Sequence, residues 1–149
     1  MFVIMKGWKG RETDEPGSES APGGPVKEVT IMKKCRITVV RMADYTDLQE
    51  KYENDIENGC ILTMGQDFIS DGWRKPFGMC DSAWETLSPF VMTLAHGGED
   101  IYTGWMKNKK SAMVSCNDGF RPVTFYVEAL EEDATDWQYE DEPTNKKAE

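Results

Sequence analysis

The chain carries one histidine among 149 residues, which excludes a His-rich metal site and any paired-imidazole acid–base device. Its four cysteines include no Cys-x-x-Cys pair, so the zinc knuckles and iron–sulfur loops built on closely spaced cysteines are missing as well. No run approaches the roughly 20 apolar residues that cross a bilayer. The apolar start, residues 1–5, is too short and too poor in preceding positive charge for a signal peptide. A cytoplasmic protein without membrane contact is therefore expected. Cations are scarce: 17 Lys+Arg against 27 Asp+Glu give a formal charge of −10. Clustered Lys and Arg supply nucleic-acid affinity, so nucleic acid is not an expected partner. A Walker loop, a dinucleotide fingerprint, a Gly-x-Ser-x-Gly elbow and an HExxH pair are all absent.

What is present is 39% hydrophobic, 11% aromatic and 30% charged residues, the size and apolar content of one domain. The charge is uneven. Residues 131–149 hold eight acidic residues against Lys146 and Lys147, and a segment so poor in apolar side chains cannot offset its ordering entropy. It reads as an acidic, disordered tail. At the other end, Gly10 to Pro25 is a Gly/Pro/Ser/Glu stretch with little to bury. Lys27-Glu28-Val29-Thr30-Ile31 can be encoded AAG GAG GTG ACN ATH, a bacterial ribosome-binding string placed directly before the ATG of Met32. Residues 1–31 are accordingly expected to be disordered and to reflect an over-long gene start, leaving a single domain at 32–130 with 11 basic and 14 acidic residues.

Within that domain, Cys35-Arg36-Ile37-Thr38-Val39-Val40-Arg41 is partly alternating and β-branched, the mark of a strand. Asp47 to Glu53 predicts a short helix, with Thr46 or Asp44 as its cap. Gln66 to Ser70 predicts a second strand. The strongest helix begins near Asp81-Ser82, where Ser82 and Glu85 have capping-box spacing and Trp84, Leu87, Val91 and Leu94 share a face. Pro89 should kink or break it, and Gly97-Gly98 should end it. Ala112 to Cys116 and Val123 to Ala129 flank Asn117-Asp118-Gly119 and predict a closing hairpin. The order β-α-β-α-β-β specifies a small α+β domain: an antiparallel or mixed sheet with the long helix on one face.

Cys60 follows Asn58-Gly59, Cys80 opens the long helix, and Cys116 enters the Asn-Asp-Gly turn. All three stand at element ends, where side chains from distant segments can converge. The helix dipole favours a thiolate at Cys80, and Arg121 across the hairpin gives Cys116 a cationic neighbour. The competing reading is packing, because free cysteine is among the most buried residue types. Cys35, inside a strand, is a bystander. His96 at a helix end reads as a C-terminal cap, and Asp118 as turn chemistry. Asp67, Asp71 and Asp81 read as turn formers and caps, and Trp84 and Phe90 as core.

Gly59-Cys60, Gly65-Gln66-Asp67-Phe68, Lys75 to Trp84 and Cys116-Asn117-Asp118-Gly119-Phe120-Arg121-Pro122-Val123 together form a pattern. It resembles a family of small proteins, roughly 90 residues long, from mostly anaerobic bacteria and archaea, known as an uncharacterised repeat family. The Cys-x-Asp-Gly-x-Arg-Pro-Val element is its most specific part and is complete in this chain. The departures are Asn58-Gly59-Cys60-Ile61, where members often carry Gly-Pro-Cys-Pro, Phe77-Gly78-Met79 before Cys80, and Pro89. The resemblance implies that cysteines at the positions of Cys60, Cys80 and Cys116 recur, whereas the position of Cys35 is usually apolar. It implies no activity.

Two functions are expected to compete. In the first, Cys60, Cys80 and Cys116 gather around a soft metal, zinc or an iron–sulfur cluster, or form a redox set, with Asp81, water or an outside ligand in the remaining position and Asp118, Arg121 and Trp84 supporting. In the second, the protein is an interaction or ligand-binding module with inert cysteines, its function lying around Trp73, Arg121 and the tail and its partner another protein or a second copy. An enzyme with a cysteine nucleophile ranks behind both, since His96 is the lone imidazole available as base.

Overall fold

The computed structural model describes residues 31–134. The expectations for a disordered head and for most of the acidic tail lie outside those residues. Six elements follow one another: β1 (Lys33–Met42), α1 (Thr46–Tyr52), β2 (Asp67–Ser70), α2 (Asp81–Ala95), β3 (Ser111–Ser115) and β4 (Val123–Asp133). The strands form one antiparallel sheet in the order β2-β1-β4-β3. This is the expected α+β class and element order. The connections are long enough to place the last strand beside the first, so β1 and β4 make the centre.

Alternation builds the core. Cys35, Ile37 and Val39 of β1, Val123, Phe125 and Val127 of β4, Phe68 of β2, and Ala112 and Val114 of β3 are buried on one face. Register stacks them, with Ile37 opposite both Phe68 and Val127, and Phe125 between Val39 and Val114. Helix α2 lays Ala83, Leu87, Val91, Leu94 and Ala95 onto this face. Each buried Leu or Val removed from water is worth about 1.5–3 kcal/mol, so this helix–sheet seam dominates the stability of the domain. Trp84 and Phe90 pack against the core from its margin, half-buried. The opposite sheet face is mixed, with Arg36 paired to Glu128 and Thr38 donating to Asp67 beside the exposed Ile69 and Met113.

Several local expectations are corrected. Helix α2 is continuous through Pro89. The proline sits on the exposed side, where solvent can satisfy the carbonyl that loses its amide partner, so the missing hydrogen bond costs less than in a buried turn. The Ser82–Glu85 capping box does not form: Cys80 is the N-cap residue and no side chain caps the helix. Tyr45, not Thr46 or Asp44, precedes α1, and Asp44 instead accepts a hydrogen bond from Gln49. His96 does end α2, its Nδ1–H donating to the Met92 carbonyl at 2.6 Å. Strand β4 runs past Leu130 through Glu131, Glu132 and Asp133. Lys110, Lys34 and Lys33 pair with these three carboxylates, so opposed cations hold an acidic run that its composition alone would assign to a tail.

Candidate functional site

The three expected cysteines meet at one cavity. Cys60, Cys80 and Cys116 line a recess of about 450 Å³ together with Asn58, Gly59, Ile61, Leu62, Ser82, Asp118, Arg121 and Val123. All three thiols are free and half-buried. They arrive from three separate places: the segment between α1 and β2, the start of α2, and the end of β3. Among the described residues, no three or more His, Cys, Asp or Glu side chains are grouped closely enough to hold a metal ion. The cysteines share a wall without being drawn into a ligand cage.

Two of them sit on rigid ground. Cys116 forms the neck of the β3–β4 hairpin: its amide donates to the Val123 carbonyl at 2.9 Å, and the Val123 amide donates back to Cys116 Sγ at 3.2 Å. Asp118 caps the turn beyond, accepting from the amides of Phe120 at 2.8 Å and Arg121 at 3.2 Å. The hairpin is stitched to the first turns of α2 by Ser82 Oγ donating to Asn117 Oδ1 at 2.6 Å and by Thr86 Oγ1 donating to the Ser115 carbonyl at 3.0 Å. Cys80, at the head of α2, is thereby fixed relative to Cys116. Among the described residues no comparable hydrogen bonding surrounds Cys60, which packs half-buried against the core, and none of residues 46 to 61 is fully buried.

Arg121 connects the third cysteine to the other two. Its guanidinium donates to both carboxylate oxygens of Glu53, at 2.8 and 2.6 Å, and to Gln49 Oε1 at 3.0 Å. The bond to Glu53 pushes the guanidinium further above its ordinary value. Arg121 lines the same recess as Cys116, and its guanidinium is at the same time paired with Glu53. A Cβ on Gly59 would come within 2.6 Å of Arg121 Nε and 2.8 Å of its Cδ, so any side chain at 59 would make the arginine shift.

The remaining expected residues divide. Asp81 does not contribute: its carboxylate is 92% exposed and paired with Lys75, because the first residue of a helix presents its side chain to solvent here. Trp84 belongs to the core margin and not to the recess wall. Cys35 is fully buried, its thiol donating to the Val91 carbonyl at 3.7 Å, and burial pushes that thiol up to about 11. Trp73 lies elsewhere on the surface, with the Arg74 guanidinium 4.5 Å above its ring. The sequence does not mark Gln49 and Glu53 as site residues, and marks Asn117 only as part of a turn. Their partners lie up to 72 positions away, beyond any local signal.

Comparison with protein-family models, with curated proteins and with solved structures found no match for this chain. Among the described residues no helix is long and apolar enough to cross a membrane.

Proposed function

We propose that this protein is a small binding protein for a soft, thiophilic ligand, a zinc ion or an iron–sulfur cluster among them, taken up by Cys60, Cys80 and Cys116. The observation that carries the reading is the convergence of three free cysteines, spaced 20 and 36 residues apart, on one recess of about 450 Å³. Packing alone does not call for that arrangement, since buried cysteine fills gaps singly and Cys35 already does so. Sulfur donors select soft ions, and three of them leave one position for water or an external ligand. Binding requires the three sulfurs to close up from their present positions.

The test is anaerobic purification of the full chain, metal analysis, and titration of the metal-free protein with cobalt(II) as a spectroscopic probe. A sulfur-to-cobalt charge-transfer band that is lost in the Cys60→Ser, Cys80→Ser, Cys116→Ser triple variant is the expected result. Absence of metal and of the band, with the three thiols alkylated at independent rates, would overturn the reading. It would favour instead a module that binds a partner through its surface and carries inert cysteines.

A further inference from the structure

The three cysteines differ in how they are held, and that difference points to a moving part. The segment 46–61 leaves the sheet after Ala43 and Tyr45, whose amides donate to the Pro122 and Phe120 carbonyls at 3.0 and 2.9 Å. It rejoins the sheet at Leu62, which is buried, and at Gly65 and Gln66, which exchange backbone bonds of 2.9 Å with Val39. Between those two anchorages no residue is buried, α1 included, and Tyr52, Ile56 and Ile61 are more than half exposed. With no fully buried residue, and only Gln49, Glu53 and Cys60 partly covered, the segment is held mainly by the contact of Cys60 with the core and by its polar ties. Those that Arg121 makes, to Gln49 and Glu53, fall in its middle.

We infer that residues 46–61 form a strap over the thiol recess, latched by the Arg121–Glu53 ion pair, and that unlatching moves Cys60 relative to the fixed pair Cys80 and Cys116. This rests on the binding function proposed above and supplies its missing step: with the latch shut the three thiols line the recess without forming a cage, and the strap is the part free to bring Cys60 in. The latch is well made for the task. The two side chains are 20% and 14% exposed, so the pair is only weakly screened, and its bidentate geometry is specific for arginine. Gly59 adds a steric condition, since a Cβ there would push on the Arg121 side chain and shift it from its place on Glu53. Arg121 is thus a positioning residue for Cys60, acting through Glu53 and Gly59.

The experiment needs no ligand, which separates it from the test of binding. In the full-length protein, alkylation rates of Cys60 and Cys116 are read by peptide mass mapping, together with hydrogen exchange across the strap and across β4. Glu53→Gln and Arg121→Lys should raise the Cys60 rate about tenfold or more and speed exchange at 46–61, with Cys116 and β4 little changed. Gly59→Ala should do the same while removing no ion-pairing group. In an Arg121→Ala background, Gly59→Ala should add almost nothing, because both changes release one latch. A Cys60 rate within about twofold of the parent in folded Glu53→Gln and Gly59→Ala proteins would overturn the strap. So would full additivity of Gly59→Ala with Arg121→Ala. Where Arg121→Lys loses protection in β4, Gly59→Ala decides. A strap that opens as described in a protein that never binds cobalt leaves the mobility standing and removes the binding function.

Discussion

Cys116 and Val123 exchange two hydrogen bonds, backbone to backbone at 2.9 Å and Val123 amide to Cys116 sulfur at 3.2 Å. One residue therefore closes the hairpin and presents a thiol to the recess. The sulfur is the partner of a half-buried amide, so removing it leaves a donor unsatisfied. Cys116→Ala should cost about 1–3 kcal/mol of stability, and Cys116→Ser, which restores an acceptor, less. Urea denaturation of the full chain checks this. A Cys116→Ala midpoint equal to that of the parent would mean that the amide finds water at no cost.

Burial gives Cys35 a distinct pH signature. Its thiol is raised from an ordinary value of 9.0 to about 11. Between those values the unfolded chain releases the proton and the folded chain keeps it. Stability therefore falls as pH climbs from about 9 and stops falling for this reason above about 11. At 1.36 kcal/mol per unit the loss is about 3 kcal/mol. Cys35→Ala should remove that slope, seen as the difference between two stability curves measured from pH 8 to 11. Parallel curves would show that the thiol ionises as readily inside the fold as outside it. The same burial should make Cys35 the last of the four cysteines to react with iodoacetamide, and only after global unfolding.

The parts of this fold that were legible in the sequence are those set by local periodicity. Alternation marked β1, helical spacing of Leu87, Val91 and Leu94 marked α2, and Asn117-Asp118-Gly119 marked the hairpin turn. The site was legible only as positions: Cys60, Cys80 and Cys116 stand at element ends, and element ends of one small domain meet. What could not be read is what long-range contacts decide. Arg121 and Glu53 are 68 residues apart, so the fate of the arginine's charge has no local trace. Asp81 stood as one of three candidates for the fourth position, yet the helix turns it outward to Lys75. Glu131, Glu132 and Asp133 looked like a tail because their partners Lys110, Lys34 and Lys33 lie on other strands or in the loop before β3.

Exposure separates two bulky apolar residues of similar hydrophobicity. Leu87 is fully buried at the centre of the α2 seam, whereas Phe77 is entirely exposed in the loop before α2. Leu87→Ala should cost about 2–5 kcal/mol, and Phe77→Ala should stay within about 0.5 kcal/mol. Thermal or chemical unfolding of both variants measures the contrast. A large loss from Phe77→Ala would show that this ring is covered in solution by something other than the described residues.

Gly72 is the position where backbone and packing both demand glycine. Its φ is +93°, a region that L side chains rarely adopt. A Cβ there would lie 2.7 Å from the Cβ of Ala95 at the end of α2 and 2.9 Å from the Met32 side chain. Met32 can yield, but Ala95 is fixed by its own backbone and buried in the core. Relief would therefore have to come from shifting the end of α2 away from the sheet. Gly72→Ala should destabilise by about 1–3 kcal/mol from backbone strain, with the clash in addition. In an Ala95→Gly background the steric part should disappear and the strain part remain, so the double variant should recover only some of the loss beyond the cost of Ala95→Gly alone. Unfolding midpoints of the two single variants and the double resolve the two contributions. No recovery would assign the whole effect to the backbone, and complete recovery would assign it to the contact with α2.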